Sequence, residues 1–558
     1  SATAYAGINS LSESSGYSLY SIFTNTLKYE NSFGNHKFDV LAGSEAIEYS
    51  GRSLNGSRND FYLSDFSSLI LGNGKKDINN SSSAQKNRLF SLFGRLDYSY
   101  KEKYLIGATI RRDGSSKFGA NSRYGLFPSL SIGWRLSEEA FMENNTWIND
   151  LKLRSSYGEL GSQSNVDDAN AYSLFNGTGG GYYPISGNPT QTQQGYFQSR
   201  FGNTNTGWER NIVLNVGIDA IFLDNIDLSA EIYQKKIEGL LFPQPIPATA
   251  GGASSPYINI GNVENRGLEF SANYRGHIAQ DLDFTIGADI THYVNEIVSI
   301  PGESPYFDVG DQTNARIGSY IRNQVGHSIG EFYGYQVERL FQSEDDVAAL
   351  PTQQNTAPGR FKYKDINGDS YEDGKPNGKI DALDRTFIGS PHPKFTSGIN
   401  LRMNYKNFDF ATVLYGSYGN KVINLNKANT YFSYFKWQLN RNLLNQWSPT
   451  NKDSDIPIYT GPGTFSSGSV ASSFYIEDGS FLKCKTLVLG YSLPGKILEK
   501  VNLKKCRIYA QATNVFQITK YSGMDPEIPQ VSSGRYGVDA GNYPNNQRGF
   551  NVGFNIEF

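Results

Sequence analysis

The sequence predicts an all-β protein, a transmembrane antiparallel up-and-down β-barrel, on three observations. Apolar and polar residues alternate with period 2 along most of the chain, tight turns alternate with long loops, and the last residues form an alternating strand ending on Phe558.

The alternation is clearest from Phe90. Phe90, Leu92, Gly94, Leu96, Tyr98 and Tyr100 face Ser91, Phe93, Arg95, Asp97 and Ser99 across the strand. The next run sets Tyr104, Ile106, Ala108 and Ile110 against Leu105, Gly107, Thr109 and Arg111. A third sets Leu126, Pro128, Leu130, Ile132, Trp134 and Leu136 against Phe127, Ser129, Ser131, Gly133 and Arg135. Successive strand residues point to opposite faces, so each run has one apolar and one mixed face. Single carboxylates such as Asp97 and Glu231 then face a polar lumen, where charge costs little.

Tight turns are expected at 32–36, 101–103, 223–225, 277–281 and 406–407. Between them lie long segments at about 50–86, 162–205, 241–262, 298–330, 340–393, 420–473 and 520–547, rich in Gly, Asn, Ser, Pro and Tyr. Short turns on one rim and long loops on the other are the barrel's signature. A propeller would instead repeat four strands every ~40–45 residues, and no such repeat occurs. About 16 or 17 strands are expected on this alternation, the first around Thr3 to Ser12 with no turn before it. One short helix is expected, Pro494 to Val501, in a turn position. At the end, Phe550, Val552, Phe554, Ile556 and Phe558 alternate with Asn551, Gly553, Asn555 and Glu557. The competing reading of that segment is an ordinary edge strand of a soluble sheet.

Composition agrees. The chain has 558 residues, too many for one soluble core of roughly 250–300 residues. It lacks the ~18 continuous apolar residues of a spanning helix. Aromatic residues make up 14% and there are 58 glycines, which respectively favour and punctuate strands. The net charge of −3 argues against nucleic acid as a partner. Cys484 and Cys506 lie on consecutive expected strands, so one bridge and two unpaired thiols are both open. The five histidines form no HxH or HExxH pattern, there is no Gly-x-Ser-x-Gly elbow, and no catalytic constellation is expected. Gly179–Gly181 lacks the Lys-Ser/Thr of a phosphate loop. Ser1 to Tyr5 carry no secretory signal pattern.

Four segments resemble a known family. They are Asn87–Tyr98 continuing through Arg111–Gly119 to Phe127-Pro128-Ser129; Asp365–Phe395 with Ile388-Gly389-Ser390-Pro391; Glu477–Lys483 ending Leu489–Pro494; and Ala512–Phe516 to Tyr521–Glu527. In order and spacing this resembles the SusC-type (RagA/SusC) TonB-dependent transporters of the Bacteroidetes outer membrane. The resemblance implies a 22-stranded barrel of which this chain supplies the C-terminal part. A plug domain with the rest of the barrel, the TonB box and the signal peptide are expected outside residues 1–558. It further implies import of oligosaccharides or peptides, a SusD-like lipoprotein as lid, the TonB complex as energy source, and outer-membrane lipid around the wall. A docking or adhesive barrel and an outer-membrane barrel enzyme are the competing functions.

Two groups of candidate site residues follow. Asp365-Ile366-Asn367-Gly368-Asp369, then Gly378 to Arg385, would join into an EF-hand-like loop. Asp365, Asn367, Asp369, Asp381 and Asp384 would offer Ca²⁺ hard oxygen ligands. Ser370 to Asn377 interrupt the spacing, so Asn377-Gly378 replacing Asp369 and an insert bulging out are both open; the competing reading is an acidic, self-solvating loop. Aromatic residues come second: Tyr182 and Tyr183, and the cluster Tyr431, Phe432, Tyr434, Phe435 and Trp437. These would stack on substrate or grip the lid, against the alternative of packing within the loops.

Overall fold

In the computed structural model the described residues are 9–61, 68–71, 79–177, 182–183, 187, 193–243, 252–259, 261–279, 281–300, 305–309, 316–349, 351–368, 370, 373–432, 439–461, 463–528, 535–541 and 547–558. Among the described residues fifteen strands form one sheet, where about 16 or 17 strands are expected from the turn–loop alternation, and they are hydrogen-bonded in the order in which the chain makes them. The first six are β1 (Ser10–Phe33), β2 (His36–Asn59), β3 (Asn79–Tyr100), β4 (Tyr104–Ser115), β5 (Tyr124–Arg135) and β6 (Ile148–Ser162). Later ones include Asn262–Ala279, Leu282–Ser299, Phe395–Tyr405, Phe408–Tyr418, Phe481–Ser492, Lys505–Thr519 and Gly549–Glu557. Two compact units result: Ser1–Gly133 with Ser156–Val213 and Ile237–Ile260, and Trp134–Ser155 with Leu214–Lys236 and Gly261–Phe558.

In the first unit the register fixes which face meets lipid. Leu27, Ala42, Gly94 and Ile110 share one level, as do Tyr29, Val40, Leu96 and Ala108. Leu27, Tyr29, Val40, Leu96 and Ile110 are all exposed. At the turn end, Phe33, His36, Phe38, Tyr98, Tyr100 and Tyr104 stack ring on ring, with centroids 4.8–6.4 Å apart. At the other end of the same face Glu48 takes Lys86 at 2.9 Å and Arg88 at 2.7 Å. Between the aromatic girdle and these charges lie residues 22–32 of β1, about the 9–11 residues a tilted spanning strand needs. The opposite face is polar: Thr24, Glu45, Ser91 and Asp113 align. Arg111 donates to Glu45 (2.9 Å), Ser91 (2.8 Å) and Asp113 (2.7 Å).

Most of the described residues in the segment expected as a loop at 50–86 are strand, a correction to the sequence reading. β2 runs to Asn59 and β3 starts at Asn79, with Ser12 bonded to Asn55 at 3.0 Å and Ser53 to Ser83 at 2.7 Å. Ser and Asn have low strand propensity, but here they extend a ladder already in register, and cross-strand polar pairs sustain it. β1 likewise runs unbroken from Ser10 to Phe33. The part of the expected first strand at residues 3–8 lies outside the described residues.

The second unit repeats the two-faced wall. Tyr274, Ile286, Leu401, Thr412, Leu487, Ala512 and Phe550 lie side by side across six consecutive pairings. Phe550, Val552, Phe554, Ile556 and Phe558 are exposed on this face. On the other, Arg507 Nε donates to Asp409 Oδ1 at 2.8 Å, past Gly490, where any side chain would collide with both. Arg154 likewise pairs with Asp219 at 3.1 Å and with Glu231. Cys484 and Cys506 are unpaired and buried. Glycine-free turns at Lys101-Glu102 and Leu223-Asp224 hold both residues at positive φ, the twist a two-residue hairpin turn requires. The short helix is where the sequence places it: Gly495–Leu498, tightening to Glu499–Val501 and stopped by left-handed Asn502.

The long loops of this unit are folded. Tyr306–Val309, Ile321–Gln324, Phe332–Tyr335 and Arg385–Gly389 make a four-stranded sheet. Ile476–Asp478, Lys421–Asn424 and Val538–Asp539 make a three-stranded one. Phe332, Phe361, Tyr363, Ile423, Trp447 and Tyr475 are buried in a shared core.

Lipid exposure of the apolar face makes a direct prediction. Ile110→Arg, near mid-band, lowers stability by about 2–4 kcal/mol, whereas Thr109→Arg on the polar face costs under about 1 kcal/mol. Urea titration of protein folded in vesicles measures both, and equal costs would contradict the assignment.

Candidate functional site

The acidic loop folds around Asp384, whose side chain is fully buried. Its Oδ1 accepts the N–H groups of Ile366 (2.8 Å) and Asn367 (3.0 Å), and its Oδ2 that of Asp381 (2.9 Å). Asp381 Oδ1 accepts Leu383 N–H at 2.9 Å, completing a capping box over Ala382–Asp384. Asp365 accepts from Asn377 (3.2 Å) and Gly378 (2.6 Å). Asn367 accepts Gly374 N–H at 3.0 Å and donates to Leu383 O at 2.8 Å. Asp373, within the insert, accepts from Gly368 at 3.0 Å and Lys375 at 3.1 Å. These oxygens are thus taken up by the loop's own backbone. Among the described residues no three His, Cys, Asp or Glu side chains group as a metal site; Asp369 lies outside those residues.

The aromatic candidates separate. Tyr431 and Phe432 are buried in the loop core, with Asn442 donating to the Tyr431 hydroxyl at 3.0 Å. Tyr182 and Tyr183 form a two-residue strand paired with Gln193–Gln194. Tyr434, Phe435 and Trp437 lie outside the described residues.

The structure joins residues that spacing alone did not. Lys483, its side chain 1% exposed, reaches Asp525 Oδ1 at 3.2 Å and Glu527 Oε2 at 2.6 Å. Lys485 also binds Glu527. Next to this cluster Glu477 accepts Ser522 N–H at 2.8 Å and Ser522 Oγ–H at 2.8 Å, and pairs with Lys427 at 3.1 Å. The Tyr521 hydroxyl donates to Asp539. Burial works against ionisation of Glu527 and Glu477, but the ammonium groups of Lys483 and Lys485 on one, and Lys427 with Ser522 on the other, hold both carboxyls below their usual range. Tyr521 is pushed far up by burial and by Asp539. The third and fourth resemblance-bearing segments, 477–483 and 521–527, therefore meet in one ionic anchor that ties the folded loops to the wall strand Phe481–Ser492. Its chemistry is holding: Asp525, Glu527 and Glu477 each meet a lysine, and Asp539 meets the Tyr521 hydroxyl, Asn426 and the Gly541 N–H.

Residues 1–339 match the sequence model described as TonB dependent receptor-like, beta-barrel. The chain belongs to this family. It is 33% identical over 550 residues to TonB-dependent receptor P3 of Formosa agariphila, covering 96% of this chain and 52% of that protein. To TonB-dependent receptor SusC of Bacteroides thetaiotaomicron it is 30% identical over 543 residues, covering 95% and 49%. The chain thus spans about half the length of the curated relatives it matches. Among solved structures it superposes on the RagAB peptide transporter with a TM-score of 0.82 at 23% identity, over 98% of this chain and 56% of that one. Family membership places the wall in the outer membrane, with its apolar face to lipid.

Lys483→Met leaves Asp525 buried without its cation, a change that costs on the order of 3–5 kcal/mol. Faster proteolysis within 521–528 is the expected readout, with the wall strands still protected. The pH dependence follows from sign. A carboxyl depressed on folding binds fewer protons folded than unfolded, so its stabilisation is complete above the ordinary glutamate value of about 4.3 and fades as pH falls through the depressed one. The same cleavage should accelerate below about pH 4. Asp384→Ala, which removes three charge-assisted bonds, should expose 365–384 to protease through a loss of about 3 kcal/mol. EDTA should leave the unmutated loop unchanged if backbone donors alone hold it; acceleration by EDTA would return its carboxylates to a cation.

Proposed function

We propose that this chain forms the wall and mouth of an importer that carries a bulky nutrient, an oligosaccharide or a peptide, across the outer membrane. The TonB complex supplies the energy and a SusD-like lipoprotein acts as lid. The observation that carries this reading is the folded, anchored loop body on a wall whose inner face is ion-paired and polar. A fixed mouth can hold a large ligand in one pose at low entropic cost, and a polar inner face gives it a hydrated path. Pairs such as Arg507–Asp409 and Arg154–Asp219 line that path with charge that is already countered. The relatives support the reading: those named above are receptors and a transporter, and the RagAB structure is described as a peptide transporter. The reading is transport rather than catalysis, because the buried charges serve to hold loops and strands in place.

Uptake of fluorescently labelled oligosaccharide and peptide pools by cells carrying the full-length protein tests it. Accumulation should require both TonB and the lipoprotein encoded to work with it. Uptake unchanged by loss of TonB would overturn the importer reading.

A further inference from the structure

Arg200 sits in the loop cluster of the first unit. The strand Phe197–Arg200 pairs antiparallel with Leu174–Asn176, setting Arg200 opposite Leu174. A second segment fixes its backbone, as Ser254 N–H donates to Ser199 O at 2.8 Å and Phe201 N–H to Ser254 O at 3.3 Å. The residue is only 9% exposed. Nη1 pairs with Asp167 Oδ2 at 3.1 Å, and that carboxylate is 59% exposed, so the guanidinium lies just beneath the surface. Nε and Nη2 are closed off from solvent and have no hydrogen-bond partner. Those two nitrogens are the side-on edge of the planar fork, the edge that takes both oxygens of a carboxylate at once.

Nothing in the surrounding sequence supplies that carboxylate. No Asp or Glu occurs between Asp168 and Glu209, or between Glu238 and Glu264. The flanking acids are engaged: Asp168 with Lys117 at 3.4 Å, and Glu209 with Leu241 N–H at 3.3 Å and Asn211 at 3.2 Å. Buried neighbours satisfy one another, Asn170 bonding Thr206 at 2.9 Å and Tyr257 N–H at 2.8 Å. An unpaired buried donor carries its full desolvation cost, which a two-oxygen acceptor relieves. Tyr172, Phe175 and Tyr196, at 63%, 66% and 71% exposed, present flat apolar rings on the same hairpin and the residues beside it, suited to the faces of sugar rings.

We propose that Arg200 receives a carboxylate of the imported nutrient, and that the nutrient is a uronic-acid-bearing oligosaccharide. A local parting of the loop admits the carboxylate to the Nε–Nη2 edge while Asp167 keeps hold of Nη1. This rests on the importer reading.

Calorimetric titration of the detergent-solubilised full-length protein tests it with two probe pairs. One is tetragalacturonate against its methyl ester; the other is tetraglutamate against tetraglutamine. The unmutated protein should bind tetragalacturonate at least about tenfold more tightly than the ester, as a bidentate charged contact implies. Arg200→Gln should erase that preference, and Arg200→Lys, which keeps the charge but loses the fork, should lose most of it. No preference in the unmutated protein, a preference that survives Arg200→Gln, or one confined to the peptide pair would each overturn the proposal. Should Arg200→Gln fail to fold, judged by gel mobility before and after heating, Arg200→Lys carries the test. TonB-dependent uptake of a natural nutrient mixture is scored alongside. TonB-independent uptake counts against the importer reading, whereas TonB-dependent uptake without acid preference counts against Arg200 alone.

Discussion

A bilayer core offers no water to unpaired backbone N–H and C=O groups, and that constraint organises the rest of the molecule. A strand can enter lipid only if neighbours on the sheet take its hydrogen bonds. The fifteen-strand sheet meets this by pairing strands in chain order, so that each is registered against its predecessor by a short turn or a returning loop. Once register is set, side-chain parity follows, because a slip of one residue would exchange the two faces. Leu27, Ile110, Leu487 and Phe550 thereby meet lipid, and Arg111, Asp409 and Arg507 do not.

The loops obey a different constraint. Long excursions of Gly, Asn and Ser cannot stay ordered on backbone bonds alone, and these bury aromatic residues instead. Phe332, Phe361, Tyr363 and Tyr475 are nearly inaccessible, and strands drawn from remote segments pair over them, with Ile423-Asn424 running parallel to Val538-Asp539. Fastening this body to the wall falls to Lys483, Asp525, Glu527 and Glu477. A buried pair is weak evidence of net stability, since desolvation offsets much of the attraction. Its value here is geometric: one lysine on a wall strand fixes where a loop of another strand returns.

How much of this was legible in the sequence depends on the range of the interaction. Period-2 parity is local, so the faces of Phe90–Tyr100 and Phe550–Phe558 could be read directly, as could the turns at Lys101–Lys103 and Leu223–Asn225 and the short helix after Pro494. Strand ends were not legible at β1, β2 and β3, where Ser- and Asn-rich stretches look like loop and become strand only because a partner is already in register. The loop core was hidden for the same reason. For Tyr431 and Phe432 the sequence leaves both a ligand-facing and a packed reading open, and Phe361 and Phe474 beside them identify the packed one. Asp384 shows the limit for chemistry: alternating acids suggest a cation, and the spacing gives no sign that the backbone N–H groups of Ile366, Asn367 and Asp381 converge on this one carboxylate. Lys483 and Asp525 each stood inside a resemblance-bearing segment, but only the fold reveals that the two segments touch.

Spin labels placed one at a time along 505–515 and 549–557 of the full-length protein in vesicles test the central claim of a two-faced wall in lipid. Oxygen accessibility should alternate with period 2, high at Ile508, Ala510, Val552 and Phe554 and low at Arg507, Tyr509, Asn551 and Gly553. Accessibility without alternation, or with the opposite parity, would contradict the account.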